Sequence, residues 1–304
     1  FQEFCPLPTA VINSEETKYY ADRWMDEHSL VVVVSRSGER GAVVDTINLA
    51  NQRGSLAVAV TGVADSLLAQ NSKISLITQE GAEITFPKTK SVATCAGTMM
   101  LLGLELADEK DRAAKILLQQ LMALPSRIEE NTQALEPHIQ ELIPVIKDCR
   151  LLNVTGTCSN YGVALEAAIK AQEAAFIPTR GDTTAGLLQG PVGALNANWL
   201  VTALVMPQDE PLNRELLKLV RQFGAKSVGV YPKELDLPAS CDYSLVLPNG
   251  ADPFIAALAY LPALQLLVYY WTVERGMNPD VPSSMNSILE SILPPGRNEP
   301  ELRN

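Results

Sequence analysis

Three groups of residues bring together side chains able to do chemistry. The first is Ser35-Arg36-Ser37-Gly38-Glu39-Arg40, directly after the apolar run Leu30–Val34. Serine hydroxyls, a glycine and free backbone N–H groups at a helix start form an anion cradle. Arg36 and Arg40 add guanidinium donors suited to phosphate oxygens. The same serines could instead cap a helix, and the loop alone leaves both readings open. The second group is Glu166, Lys170 and Glu173 in ALEAAIKAQEAAF, whose spacings of 4 and 3 put all three on one helical face. A lysine between two carboxylates is either a solvated ion-pair ladder, the plainer reading of spacing alone, or a proton-transfer relay with a tuned base. The third is Ala185-Gly186-Leu187-Leu188-Gln189-Gly190-Pro191, where the Gly-Pro step fixes a sharp turn.

Composition narrows what these groups can serve. At 304 residues and 47% hydrophobic, the chain is globular and about two domains long. A formal charge of −11 without a Lys/Arg-rich run disfavours nucleic acid and anionic membrane as partners. With only His28 and His138, a histidine metal cage or a histidine-centred triad is improbable, and no metal ligand set is assigned. Cys5, Cys95, Cys149, Cys158 and Cys241 are odd in number, scattered and free of C-x-x-C, as expected of reduced, mostly buried thiols in a cytoplasmic protein. The N-terminus lacks a basic segment followed by an apolar run, so no signal peptide is expected. The most membrane-like stretch, residues 254–273, is interrupted by Pro262 and Gln265 and reads as a buried helix pair broken at Pro262.

The elements that must position these groups occur twice. A β-branched run at Leu30–Val34, a polar turn, a helical face of Val43, Val44, Ile47, Leu49 and Ala50, a closing Gly54 and a strand over 56–60 make one unit, followed by a strand KISLIT at 73–78. Residues 199–206, a helix over 212–223, Gly224 and strands at 227–231 and 242–247 repeat that order. Gly54 and Gly224 are 170 apart, and Ser75 and Ser244 are 169 apart. Matching offsets argue for two copies of one α/β domain. Between them, residues 108–149 read as two bridging helices punctuated by Pro125, Pro137 and Pro144. The copies differ at the first turn: the second has Pro207-Gln208-Asp209-Glu210-Pro211, whose acids would repel phosphate.

In this order, the motifs resemble the sugar isomerase (SIS) domain family. The likeness is to the double-SIS isomerase half of glucosamine-6-phosphate synthase and to stand-alone fructosamine-6-phosphate deglycases and sugar-phosphate deaminases. SRSGE at 35–39, EGAEITFPKTKSVAT at 80–94, LPSRIE at 124–129, ALEAAIKAQE at 164–173, QGP at 189–191, LPALQLLVYY at 261–270 and NPDVPSSMNSI at 278–288 carry it. It implies an α/β chain of two tandem flavodoxin-like SIS domains with parallel sheets flanked by helices. The first would span residues 1–123, a helical linker 124–150, and the second, with a C-terminal tail, 151–304.

The resemblance also implies roles. Ser35, Arg36 and Ser37, with Arg40 where the family usually has Thr, would bind the sugar phosphate. Glu173 would move a proton between C1 and C2 of an open-chain sugar, assisted by Glu166 and Lys170. Lys88 and Thr89 would contact the ligand, Lys88 standing where the synthase has Ser. Asn286 and Ser287 would lie in a loop closing over the sugar, without the synthase's Lys. Gln189 stands where the family has a ring-opening His. It can hydrogen-bond a hydroxyl but cannot shuttle protons at neutral pH. The family's upstream Gly-Glu-Leu is Ala185-Gly186-Leu187 here. The resemblance places one more strand and a Gly-x-Gly-Thr-Ser turn ahead of Phe1, and a Cys-led glutaminase segment is not among the 304 residues. The implied activity is that of an enzyme acting at C1/C2 of a hexose 6-phosphate or fructosamine 6-phosphate as deglycase, deaminase or aldose–ketose isomerase, without a cofactor. The alternative is a phosphosugar sensor with impaired catalysis. A homodimer with shared active sites is expected.

Overall fold

The computed structural model describes residues 3–5, 7–39 and 41–280. The chain divides into two compact units. Unit 1 comprises Phe1–Glu83 and Thr89–Leu121, and unit 2 comprises Ile84–Lys88 and Met122–Asn304. In chain order the elements are α1 (Ser14–Tyr20), β1 (Leu30–Val34), α2 (Gly41–Gln52), β2 (Leu56–Thr61), α3 (Leu67–Gln70), β3 (Ile74–Ile77), α4 (Lys90–Glu105), α5 (Arg112–Ile146), β4 (Leu151–Thr155), α6 (Ser159–Ala174), β5 (Thr179–Asp182), α7 (Thr184–Leu188), β6 (Trp199–Leu204), α8 (Glu210–Gln222), β7 (Lys226–Pro232), β8 (Tyr243–Leu247) and α9 (Ala256–Glu274).

Unit 1 holds a parallel sheet in the order β1-β2-β3, with Leu30 opposite Leu56 and Val34 opposite Val60. Val31 and Val33 of β1 pack with Val43, Ile47 and Ala50 of α2 and with Leu68 of α3. Each large aliphatic side chain buried this way contributes about 1.5–3 kcal/mol. β1 alternates between faces: Val31 and Val33 are buried, while Leu30 and Val34 on the other face remain exposed.

Unit 2 holds a five-stranded parallel sheet in the order β5-β4-β6-β7-β8. Counted from β4, this is the 2-1-3-4-5 order of a flavodoxin-like sheet, whose switch point lies between its first and third strands, β4 and β6. The last three strands, β6-β7-β8, repeat the order and direction of β1-β2-β3. Gly54 and Gly224 share φ = +78°, each just before the next strand of its unit. A left-handed residue after a helix is the usual glycine position, so the repeat extends to backbone conformation.

Two expectations are corrected. Residues 108–149 do not make two helices: α5 is one helix of 35 residues with Pro125, Pro137 and Pro144 inside it. Proline removes one backbone hydrogen bond and bends a helix, but need not end it when a buried face holds both sides. Here Leu117, Leu121, Leu124, Leu135, Ile139, Leu142, Ile143 and Ile146 are buried along it. Likewise Pro262 does not split a helix pair. α9 runs through it for 19 residues. Among the described residues α9 is the one helix long and apolar enough to cross a membrane, with mean hydropathy 1.3, and 61% of that window is buried inside the structure. Its Leu258, Leu261, Leu264, Leu267, Val268 and Trp271 belong to the core of unit 2.

Candidate functional site

The turn after β1 is set by glycine. Gly38 has φ = +65°, and a Cβ there would lie 2.4 Å from Ser66 Oγ and 2.6 Å from Ser66 Cβ. No other residue type fits that conformation against that neighbour without strain. Hydrogen bonds fix the turn from both sides. Gly38 N–H donates to Ser35 Oγ at 3.2 Å, Leu68 N–H donates to Gly38 O at 2.9 Å, and Gly62 N–H donates to Arg36 O at 3.0 Å. The Glu39 carboxylate accepts from Leu67 N–H at 3.1 Å at the start of α3. Ser35 therefore stabilises the turn itself. The Ser37 hydroxyl, the Ser37 N–H and the Glu39 N–H make no hydrogen bond among the described residues. Unused donors on a turn held in this way are what an anion requires.

Arg36 is held in place: its Nη2 donates to the backbone oxygen of Glu83 at 3.2 Å. Glu83 was not singled out in the sequence, yet its buried carboxylate organises the start of α4. It accepts from Thr89 N–H at 2.8 Å, Lys90 N–H at 2.6 Å and Ser91 Oγ–H at 2.6 Å, with longer bonds from Thr89 Oγ1 and Ser91 N–H. Burial pushes its carboxyl up, but the bonds from Ser91 Oγ and the three backbone N–H groups outweigh this and hold it below the usual carboxylate value. Glu83 lies seven residues ahead of the helix, so no local capping pattern marks it. Thr89 stands at the N-cap of α4 with its amide and hydroxyl directed to Glu83. Lys88, its neighbour in sequence, is half-buried and belongs to unit 2. Arg40, Asn286 and Ser287 lie outside the described residues.

In unit 2, α6 brings Glu166, Lys170 and Glu173 together. Lys170 Nζ lies 2.5 Å from Glu173 Oε2 and 3.4 Å from Glu166 Oε1. The helix is rich in alanine, a strong helix former, and its small side chains let β5 approach closely: a Cβ on Gly181 would meet Ala164 O at 2.6 Å. The solvated ladder is overturned by burial, since the Lys170 side chain is 8% exposed. An unpaired ammonium there would be very costly, so the two carboxylates are structural necessities as well as chemical groups. They differ in access: the side chain is 16% exposed for Glu166 and 26% for Glu173. Glu173 Oε1 makes no hydrogen bond among the described residues. Burial, opposed by Lys170, raises the Glu166 carboxyl above its ordinary value. Gln189 is the exposed C-cap of α7, its side chain unbonded among the described residues.

The other nucleophile candidates are weak. All five cysteines are free, and burial pushes Cys95 up to about 11, far from thiolate at neutral pH. Cys158 departs from the expected burial: it is exposed at φ = +49° before α6. Both histidines sit on the surface. Among the described residues no group of three or more His, Cys, Asp or Glu is placed to hold a metal ion.

The SIS domain family model matches residues 1–104. Over those residues the chain is similar to SIS domains. The SIS segment holds the glycine turn, β1-β2-β3 and nearly all of α4. Similarity extends beyond it. The glutamine–fructose-6-phosphate aminotransferase (isomerizing) of Thermococcus kodakarensis is 26% identical over 291 residues, covering 94% of this chain and 48% of that protein. The enzyme of the same name from Symbiobacterium thermophilum is 29% identical over 272 residues, covering 88% and 44%. The chain thus spans about half the length of the curated relatives it matches. Among solved structures, the C-terminal domain of glucosamine-fructose-6-phosphate aminotransferase from Francisella tularensis superposes with a TM-score of 0.83 at 23% identity, covering 92% of this chain and 80% of that one.

Proposed function

We propose that this chain is a double-SIS phosphosugar-processing enzyme acting at C1/C2 of a hexose 6-phosphate, as isomerase, deaminase or deglycase. The observation that carries it is the set of unused donors on the glycine turn, Ser37 Oγ–H, Ser37 N–H and Glu39 N–H. These take the phosphate, while Arg36 adds positive charge beside it. The names of the relatives, which act on fructose 6-phosphate, support the sugar class.

The chemistry falls to α6. Glu173 presents the more open carboxylate oxygen and takes a proton from C1 or C2 of the open-chain sugar, giving an enediol or enolamine, then returns it to the neighbouring carbon. Lys170 fixes the other Glu173 oxygen at 2.5 Å and offers positive charge to the oxygen that gains electron density. Glu166 balances the buried ammonium.

A second reading is a sensor that binds the sugar without turning it over. It is favoured by Gln189, an amide where the family places its ring-opening His. Solvent exchange separates the two. Fructose 6-phosphate and glucosamine 6-phosphate are incubated with the protein in D2O, and deuterium at C1 and C2 is read by NMR. The enzyme reading predicts incorporation that Glu173→Gln slows at least about 100-fold, the usual scale for losing a general base. Binding without incorporation would establish the sensor, and unchanged exchange in the variant would remove Glu173 from the mechanism.

A further inference from the structure

At the N-terminal ends of β4, β5 and β6, unit 2 contains a cleft of about 520 Å³ lined by Arg150, Leu151, Phe176, Ile177, Pro178, Asn198 and Arg275. Its volume is in the range of small-ligand sites. We propose that it binds a phosphate ester carrying a flat ring, of which a nucleoside monophosphate is the simplest example.

Two charges point to the anion. Arg180, Arg214 and Arg221 of the same unit are each paired with a carboxylate. Arg150 and Arg275, both exposed, line one cavity and, like Arg127 elsewhere in the unit, have no ion-pair or hydrogen-bond partner for their guanidinium groups among the described residues; what distinguishes them is that they share the cleft. Asp148 and Glu274, close in sequence, pair with neither of them. Unpaired guanidinium groups sharing a cleft in a chain of net charge −11 are a phosphate-binding arrangement. The Asn198 side chain, also on the cleft wall, is exposed and unbonded among the described residues.

The ring follows from Phe176. It sits at φ = +50°, a position where helix ends use glycine and where a bulky side chain is strained. Yet the side chain is not buried in compensation; the residue is 38% exposed on the cleft wall. A strained, half-exposed aromatic beside two arginines offers a stacking face next to anion donors. Favourable placement of Arg275 at the C-terminus of α9 accounts for that one charge, but not for Arg150 or Phe176. Phe176 lies three residues after Glu173, just past the C-cap of α6 at Ala175. A ligand seated here would therefore grip the last turn of the helix that carries the Lys170 trio.

The test is calorimetric titration of AMP, adenosine and inorganic phosphate into the full chain and into Arg150→Gln, Arg275→Gln and Phe176→Gly. AMP should bind more tightly than either fragment, and each arginine variant should weaken it at least tenfold. Phe176→Gly should weaken AMP about fivefold while raising the melting temperature, because glycine relieves the left-handed strain; a purely structural phenylalanine would not divide the two readouts this way. No AMP binding at millimolar concentration, or AMP binding unchanged in both arginine variants, overturns the proposal. So does AMP binding no tighter than phosphate.

Discussion

The turn after β1 and the turn after β6 follow equivalent strands and have opposite chemistry. By the 170-residue offset, Ser37 corresponds to Pro207, Gly38 to Gln208 and Glu39 to Asp209. In unit 1 the glycine bends the chain so that the Ser37 and Glu39 amides are left unused, and the Glu39 carboxylate is spent on the start of α3. In unit 2, Pro207 has no N–H to offer, and Asp209 folds into its own turn. Its Oδ1 accepts from Met206 N–H at 2.8 Å and its Oδ2 from the Thr157 hydroxyl, while Asn213 Nδ2 donates to its backbone oxygen at 3.1 Å. The Asp209 carboxylate satisfies the second turn from within, where the first leaves amide and hydroxyl donors unused. Three side chains at corresponding positions thus separate a turn with unused donors from one that is satisfied internally.

The difference can be broken at several points. The largest effect is expected for Gly38→Ala, which meets both a strained left-handed φ and Ser66; a loss of about 2–4 kcal/mol in denaturant unfolding is expected. Gln208→Ala, at the equivalent and exposed position of unit 2, should stay within about 0.5 kcal/mol. A comparable cost at both positions would contradict the asymmetry.

Next comes Glu83→Gln, which weakens a charge-assisted cap on α4 and should cost about 2 kcal/mol at neutral pH. The Glu83 carboxyl is held below its ordinary value, so its contribution is fully present above about pH 4.5 and is lost as the pH falls through the folded-state value. Wild type and variant should converge in acid, as read by melting temperature against pH. Asp209 carries the opposite sign. Burial, partly offset by its hydrogen bonds, raises its carboxyl, so its contribution is fully present below about pH 3.8 and is lost as the pH rises through the raised folded value. Asp209→Asn, which can still accept from Met206, should therefore gain up to about 1 kcal/mol at pH 7. A loss at pH 7 would show that the ionised carboxylate is needed there.

Much of the framework was legible because parallel strands and amphipathic helices write themselves as periodic runs. Leu30–Val34 is β1 residue for residue, and the glycines at 54 and 224 carry the same φ. The prolines misled, because whether proline ends a helix depends on what the helix packs against. Leu124 and Leu135 hold α5 across Pro125, and the core of unit 2 holds α9 across Pro262. At the site, the 4 and 3 spacing brought Glu166, Lys170 and Glu173 together as expected, but spacing alone says nothing of burial, which turned an ordinary ladder into a buried trio. Glu83 and the Thr157–Asp209 pair could not be read at all, since their partners are tertiary and no local pattern announces them.

On this reading the sugar phosphate rests on the glycine turn of unit 1 and on no equivalent in unit 2. Fructose 6-phosphate titrated into Ser37→Asp and Gln208→Asp tests it directly, because the Ser37 side chain makes no hydrogen bond among the described residues and Gln208 makes only a weak one to Met206 Sδ. An acid at position 37 should abolish binding, at least about 100-fold, with an unchanged melting temperature, while an acid at 208 should leave affinity as in the wild type. Wild-type affinity in Ser37→Asp, or a loss confined to Gln208→Asp, would contradict the account.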